Sequence, residues 1–243
     1  TMFNVVTRCG ETGYALGDTG HFWEDGFETG DLARWDFANY RFLAATGIFS
    51  NSSCANTAEF LVDPAGAFAG EVGLVIDLPN DYFSVAKRFG VAEQPVASIY
   101  AECMVRALEP ANHIDLGIEF GLFIEGPPPD PSGYPRYYTG GVMLLTSAHG
   151  FTYVPPQPDG GESRTRANGH AFRFGDWMRI ALFRDFENGS FTFYEDDREV
   201  LSVPVADTRV PTGFSVGVNG NVASAASHID NCLYFVSYQE NDK

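Results

Sequence analysis

Lysine is nearly missing from this sequence. Only Lys87 and Lys243 occur in 243 residues, and every other basic side chain apart from histidine is an arginine. Positive charge is scarce as a whole: 15 Lys and Arg stand against 32 Asp and Glu, for a net charge of -17. A phosphate backbone is repelled by such a chain, which excludes nucleic acid as a partner. The acidity favours solubility, and it also supplies carboxylates for calcium, which takes hard oxygen ligands. No apolar run of about 18 residues occurs, so no helical membrane span is expected. The charged-then-apolar pattern of a leader peptide is also missing at the start. An opening on Thr1 instead of Met fits either a form matured by cleavage or a trimmed chain.

Cysteine is sparse as well. Cys9, Cys54, Cys103 and Cys232 include no C-x-x-C pair, which argues against zinc and thioredoxin-like chemistry. Their spacing suits one or two disulfides in an oxidising compartment, and hence a secreted protein, extracellular or at the cell surface. Three pairings are open to four cysteines. Cys9 with Cys54 would tie the N-terminal segment to the chain near the opening motif. Cys103 with Cys232 would lock the closing strand to the core, since both lie in strand-like segments. Asn51 and Asn188 head glycosylation triplets that matter only in a host that glycosylates.

Catalytic signatures are also lacking. No G-x-S-x-G or H-E-x-x-H motif occurs, and the five histidines are scattered. Glucanases with three acids on one face of a strand have as their nearest match Asp115, Gly117 and Glu119. Glycine replaces the middle acid there, and the outer two would stand about 13 Å apart along a strand. Lyase chemistry needs a Tyr or His base with a neutralising Arg or Asn. Arg106, Arg136, Tyr137, Tyr138, His149, His170 and Arg179 supply the residue types in no known lyase spacing.

What the chain does have is apolar mass: 44% hydrophobic and 14% aromatic residues, with 26 Gly and 14 Pro distributed as turn punctuation. This composition predicts an all-β protein with one large core. Strands are expected at 21–27, 46–50, 58–63, 71–78, 97–108, 113–125, 137–147, 177–185, 190–195, 198–204, 213–219 and 228–238. A short helix is expected only at 81–90. Residues 1–20 read as an N-terminal arm or first strand, with a β-prone stretch at 2–7, and residues 21–243 as a single sandwich domain. Over 113–125 apolar residues alternate with a second set that includes Asp115, Glu119, Phe123 and Glu125, so one face is expected buried. The other is either a solvated convex face or the floor of a groove. Two turn-rich segments, 126–135 and 155–169, flank the strand at 137–147 and are candidate functional loops.

Two stretches carry a resemblance. Residues 23–35 read W-E-D-G-F-E-T-G-D-L-A-R-W and residues 228–235 read H-I-D-N-C-L-Y-F. An opening D-G-F-E-[ST]-G-x-L-x-x-W with a closing I-D-N-x-x-[YF] resembles secreted bacterial modules of the concanavalin A-like, laminin-G-like sandwich group, and jelly-roll carbohydrate-binding modules share similar ends. G-D-W-M-R-I-A-L (175–182), Asn188-Gly189 and F-T-F-Y-E-D-D (191–197) look like the hairpin pair of such domains. The resemblance implies a two-sheet antiparallel β-sandwich of the jelly-roll, concanavalin A-like kind, whose first and last strands pair. It also implies a structural calcium near Asp25, Glu28, Asp31 and Asp230, with Asn231 beside them. Carboxylates gathered by strand pairing need either a cation or hydrogen bonds to offset their repulsion, so amide donors are the alternative to the ion.

The leading functional expectation is a non-catalytic extracellular module that binds glycan or a cell-surface component. Its candidate contacts are Tyr134, Arg136, Tyr137, Tyr138 and Tyr153, since sugars stack on aromatic faces and hydrogen-bond to polar side chains. One alternative is a self-assembling subunit of an extracellular filament, tube or coat, with the N-terminal arm completing a neighbour's sheet in a homo-oligomer. The other is a polysaccharide lyase.

Overall fold

The computed structural model describes residues 15–17, 20–40, 60–78, 83–90, 95–108, 117–125, 137–146, 150–155, 165–166, 173–219 and 225–239. These form sixteen strands and one short 3-10 turn, Pro64–Gly66. The strands are β1 (Ala15–Gly17), β2 (Gly20–Asp25), β3 (Phe37–Tyr40), β4 (Phe60–Asp63), β5 (Gly73–Leu78), β6 (Phe83–Arg88), β7 (Val96–Ala107) and β8 (Gly117–Glu125). They continue with β9 (Tyr137–Thr146), β10 (Gly150–Val154), β11 (Thr165–Arg166), β12 (Met178–Asp185), β13 (Ser190–Glu195), β14 (Arg198–Pro204), β15 (Gly213–Asn219) and β16 (Ala225–Tyr238). Among the described residues no helix is long and apolar enough to cross a membrane.

The strands build two antiparallel sheets. The first runs β1-β2-β16-β7-β12-β13-β14, and β5 with β4 attaches to the far half of β16. The second runs β11-β10-β9-β8-β15-β6-β3. The chain is therefore an all-β, two-sheet sandwich of the jelly-roll, concanavalin A-like kind, and β2 near its start pairs with β16 at its end.

The core lies between the sheets and is read off the period of two. Ile99, Ala101, Cys103, Val105 and Ala107 point inward from β7, and Ile118, Phe120 and Leu122 from β8. Trp23, Trp35, Phe27, Phe214 and Tyr234 form an aromatic cluster, with Trp23 and Trp35 edge to face at 5.0 Å. Cys103 and Cys232 are bonded across β7 and β16. Cys9 and Cys54 lie outside the described residues, as do residues 2–7 and the expected strand at 46–50.

Several expectations are corrected. Residues 83–88 are not helical but form β6, an inner strand between β15 and β3. Its alternation was hidden because Val85 faces the core alongside Lys87, while Ser84 and Ala86 on the opposite face are buried too. Ala15–Gly17 is a strand that pairs with β2, which Gly20 opens, so the 1–20 segment contains strand as one of its two expected forms. The face of β8 carrying Glu119 and Phe123 is buried, not solvated, with exposures of 5% and 2%. Thr165 and Arg166, inside the expected 155–169 loop, pair with β10 as a two-residue strand. The β13–β14 turn is made by Asp196 and Asp197, both at positive φ, the geometry that matches the twist of a two-residue hairpin.

The disulfide closes 129 residues of chain. Replacing both Cys103 and Cys232 with serine is expected to lower stability by about 2–5 kcal/mol, because the unfolded chain regains the freedom the bridge removes. Denaturant titration of the double variant checks this.

Candidate functional site

The site is organised by a fork in β16. Along one side this strand pairs with β7. On the other side residues 225–229 pair with β5 and residues 232–237 with β2. At the switch, Asn231 and Cys232 together oppose Cys103, and Asn231 sits at φ 44°. This bulge shifts the side-chain phase by one residue. Ile229 points into the core before it, Cys232, Tyr234 and Val236 after it, leaving Leu233 and Phe235 on the outer face.

The carboxylate of Asp230 fills the fork and is fully buried. Its Oδ2 accepts from the amides of Phe68 (2.7 Å) and Ala69 (3.1 Å), and its Oδ1 from the amide of Asn231 (2.7 Å). Burial raises its pKa, and the three amides draw it back. Glu28 accepts from the Glu71 amide at 3.1 and 3.2 Å through its two oxygens. Gly70, at φ 76°, passes so close beneath Glu28 that a Cβ would collide with the carboxylate. Asp31 is exposed and takes the Thr29 hydroxyl at 3.0 Å and the Ala33 amide at 2.9 Å. Asp25 is 2% exposed; its Oδ1 accepts from the Phe27 amide at 3.1 Å and faces Arg34 at 3.8 Å. Its Oδ2 is buried away from solvent. Burial raises the Asp25 pKa, against the pull of the Phe27 amide, Arg34, the Trp35 indole N–H and Lys87.

N–H and hydroxyl donors meet Glu28, Asp31 and Asp230, and each of these bonds offsets part of the carboxylate charge. Among the described residues no three His, Cys, Asp or Glu side chains gather as a metal-ligand set. Hydrogen bonds, the alternative offset for gathered carboxylates, are what the geometry supplies.

Of the expected ligand contacts, Tyr134 and Arg136 lie outside the described residues. Tyr137 and Tyr138 open β9, paired with Glu125 and Ile124. Tyr153 is a core residue, packed against Phe191 and Phe193 with ring centres 5.6 Å from each, which removes it from any surface site. Of the lyase-type residues, His149 and His170 are outside the described residues. Arg106 donates to His228 at 3.1 Å and to the Ala65 carbonyl at 2.9 Å, lying over the Trp177 ring. Arg179 is paired with Asp197 and lies 4.0 Å from Glu102.

The outer face of the first sheet holds what sequence reading missed. Register places Phe22, Phe235, Tyr100 and Phe183 in one row across β2, β16, β7 and β12. Glu24, Leu233, Glu102, Ala181 and Tyr194 form the next row. Phe22 and Phe235 are 37% and 39% exposed, and Phe235 lies across Gly20, where a Cβ would come within 2.6 Å of its ring. Tyr100 donates its phenol to Glu102. Burial raises the tyrosine pKa first and the glutamate adds to it, so the phenol stays protonated. Where β2 ends, these rows run into an open depression of about 560 Å³ lined in part by Glu24, Asp25, Glu28, Arg34, Glu102 and Leu233.

No protein-family model matches the sequence, and no curated protein matches it significantly. In fold the chain is similar to alginate lyase AlyC3 in complex with dimannuronate, with a TM-score of 0.59 at 10% identity over 86% of this chain and 91% of that one. A second AlyC3 structure gives a TM-score of 0.57 at 10% identity, covering 84% and 90%. The chain is also similar to part of a sialidase, at a TM-score of 0.55 and 13% identity over 91% of this chain, and it spans only 18% of that protein's length. At such identities the likeness is one of fold.

Two outcomes test the fork. Asp230→Ala leaves two loop amides without an acceptor and is expected to cost about 1–3 kcal/mol, read by denaturant titration. His228 is buried beside Arg106, and burial followed by that cation lowers its pKa to about 4. The unfolded chain therefore takes up this proton first as pH falls, so stability is lost below about pH 6.5, by up to about 1.4 kcal/mol per pH unit until about pH 4. Denaturant titrations at several pH values are expected to show that this slope is shallower in His228→Gln.

Proposed function

We propose that this chain is a non-catalytic extracellular module that binds a glycan on the outer face of its first sheet. The observation that carries the reading is the exposed cross-strand pair Phe22–Phe235, continuous through Tyr100 with the carboxylate-lined depression. Sugars present apolar C–H faces that settle on aromatic rings and hydroxyls that seek charged acceptors, and this face offers both side by side. The Cys103–Cys232 bond favours an oxidising, extracellular setting. The names of the similar structures, a sialidase and an alginate lyase with dimannuronate, belong to sugar-handling proteins and support a glycan partner, although fold alone leaves chemistry open.

The lyase reading carries no comparable observation. Arg106 is engaged with His228 and the Ala65 carbonyl, and Arg179 with acids of the same sheet.

A glycan array followed by titration with the best binder tests the proposal. Phe22→Ala and Phe235→Ala are each expected to weaken binding by about tenfold, the equivalent of about 1.4 kcal/mol. Full affinity in both variants would sink the assignment to this face. Release of unsaturated sugar ends from polysaccharide would establish the lyase instead.

A further inference from the structure

The geometry points to an intramolecular amide bond between the side chains of Lys87 and Asp36, formed when this buried ion pair condenses with loss of one water. The chain avoids lysine almost everywhere, yet one of its two lysines is wholly buried inside the sandwich. Arginine, which carries the positive charge elsewhere in the chain, is the usual choice for a buried ion pair. What lysine alone offers in that place is an amine that becomes a nucleophile once it gives up its proton.

Lys87 Nζ stands 3.3 Å from Asp36 Oδ2, and both side chains are shut off from water. That separation falls within the about 3–3.5 Å of a near-attack arrangement. The Arg34 carbonyl accepts from Nζ at 2.8 Å and fixes its position, and the Trp23 ring centre lies 5.5 Å away. The Arg88 amide donates to Asp36 Oδ2 at 2.8 Å, so a donor is already in place for the charge this oxygen gains on attack. The other charged groups acting on Lys87 are Arg34 and Asp25, and Lys87 acts in turn on His21. Burial lowers the Lys87 pKa, against the pull of Asp36, and eases release of its proton. Burial raises the Asp25 pKa, which favours its acid form and suits it to pass a proton on.

The step balances within the site. The ammonium of Lys87 gives one proton to Asp36 Oδ1. The neutral amine attacks Asp36 Cγ, a C–N bond forms, and Oδ2 holds the negative charge against the Arg88 amide. The bond from Cγ to Oδ1 then breaks. Oδ1 leaves as water, its second proton passing from the nitrogen through Asp25, and the amide keeps the last one. No oxidant or reductant takes part. The product joins β6 to the residue that leads into β3, the edge strand of the second sheet.

Mass spectrometry of the intact, reduced full chain tests this without any variant. The folded protein is expected to be lighter than its sequence by one water. Digestion is expected to yield one branched peptide with Lys87 joined to Asp36. In denaturant, Lys87 is expected to resist both amine-acylating reagents and lysine-specific protease. Lys87→Arg and Asp36→Ala are each expected to restore the full mass, but these buried changes also risk the fold, so the unaltered chain decides. Full mass after prolonged incubation of the folded chain, with Lys87 acylated in denaturant, overturns the inference. A missing water with Lys87 still reactive marks a cyclic imide at an aspartate and overturns it as well. In chain sampled over time after cell-free synthesis, Asp25→Asn is expected to slow the loss of water by about a hundredfold. An unchanged rate in a folded Asp25→Asn chain overturns the relay through Asp25.

Discussion

A single buried carboxylate, that of Asp230, sits where β16 exchanges one neighbour for another. A sheet edge that splits this way exposes amides on both departing segments, and buried amides must find acceptors. Asp230 provides one for Phe68, Ala69 and Asn231 together. With the turn fixed there, β5 and β2 can both lie against one strand, and the bulge at Asn231 and Cys232 is held open. The consequences travel down β16. The phase shift turns Cys232 toward Cys103 and Tyr234 into the aromatic core, and it brings Phe235 out beside Phe22. Removing the bulge would exchange the faces of the whole strand, so the disulfide, the aromatic core and the proposed binding surface share one origin.

The core also contains two cations, which burial alone would disfavour. Lys87 donates to the Arg34 carbonyl at 2.8 Å, stands 3.3 Å from Asp36 and lies 5.5 Å from the centre of the Trp23 ring. Burial lowers its pKa and Asp36 opposes that shift. Arg184 donates to the carbonyls of Ser190 and Asp207 at 3.0 and 2.6 Å. Each cation thus reaches chain outside the sheet ladders, Lys87 at the Arg34 carbonyl and Arg184 at that of Asp207. Lys87 fastens the segment after Phe27 to β6, and Arg184 fastens the segment after β14 to the β12–β13 hairpin. The sandwich is closed at these places by charge-assisted hydrogen bonds as well as by apolar contact.

Much of this was legible in the sequence where one period dominated. The alternation in β8 announced its inward residues, and the two end motifs announced that β2 and β16 would pair. Asp230 was legible as a residue of consequence, but its partners were not, because Phe68 and Ala69 lie 162 and 161 residues away and offer only backbone. β6 and β10 were missed for a common reason. Strands buried on both faces lose the polar beat that marks a surface strand, and all five residues of β10 are buried. Tyr153 illustrates the cost, since a tyrosine next to a turn-rich segment looks like a ligand contact until β10 places it in the core. Phe22 and Phe235 were hidden differently: each stands beside a core aromatic, Trp23 and Tyr234, and only the register of β2 on β16 shows that the pair faces outward.

The sequestration of Lys87 gives the molecule an unusual chemical surface. The only other lysine in the sequence is Lys243, so no lysine amine is exposed on either described sheet. Between residues 1 and 242 a lysine-specific protease therefore has one cleavage point, after Lys87, and it is closed while β6 remains paired between β15 and β3. Cutting there needs the amine free and the sheet open, so the yield of cleavage after Lys87 counts molecules that have lost their core. The native fold thus carries a built-in gauge of its own opening, one that no dye or engineered tag has to supply.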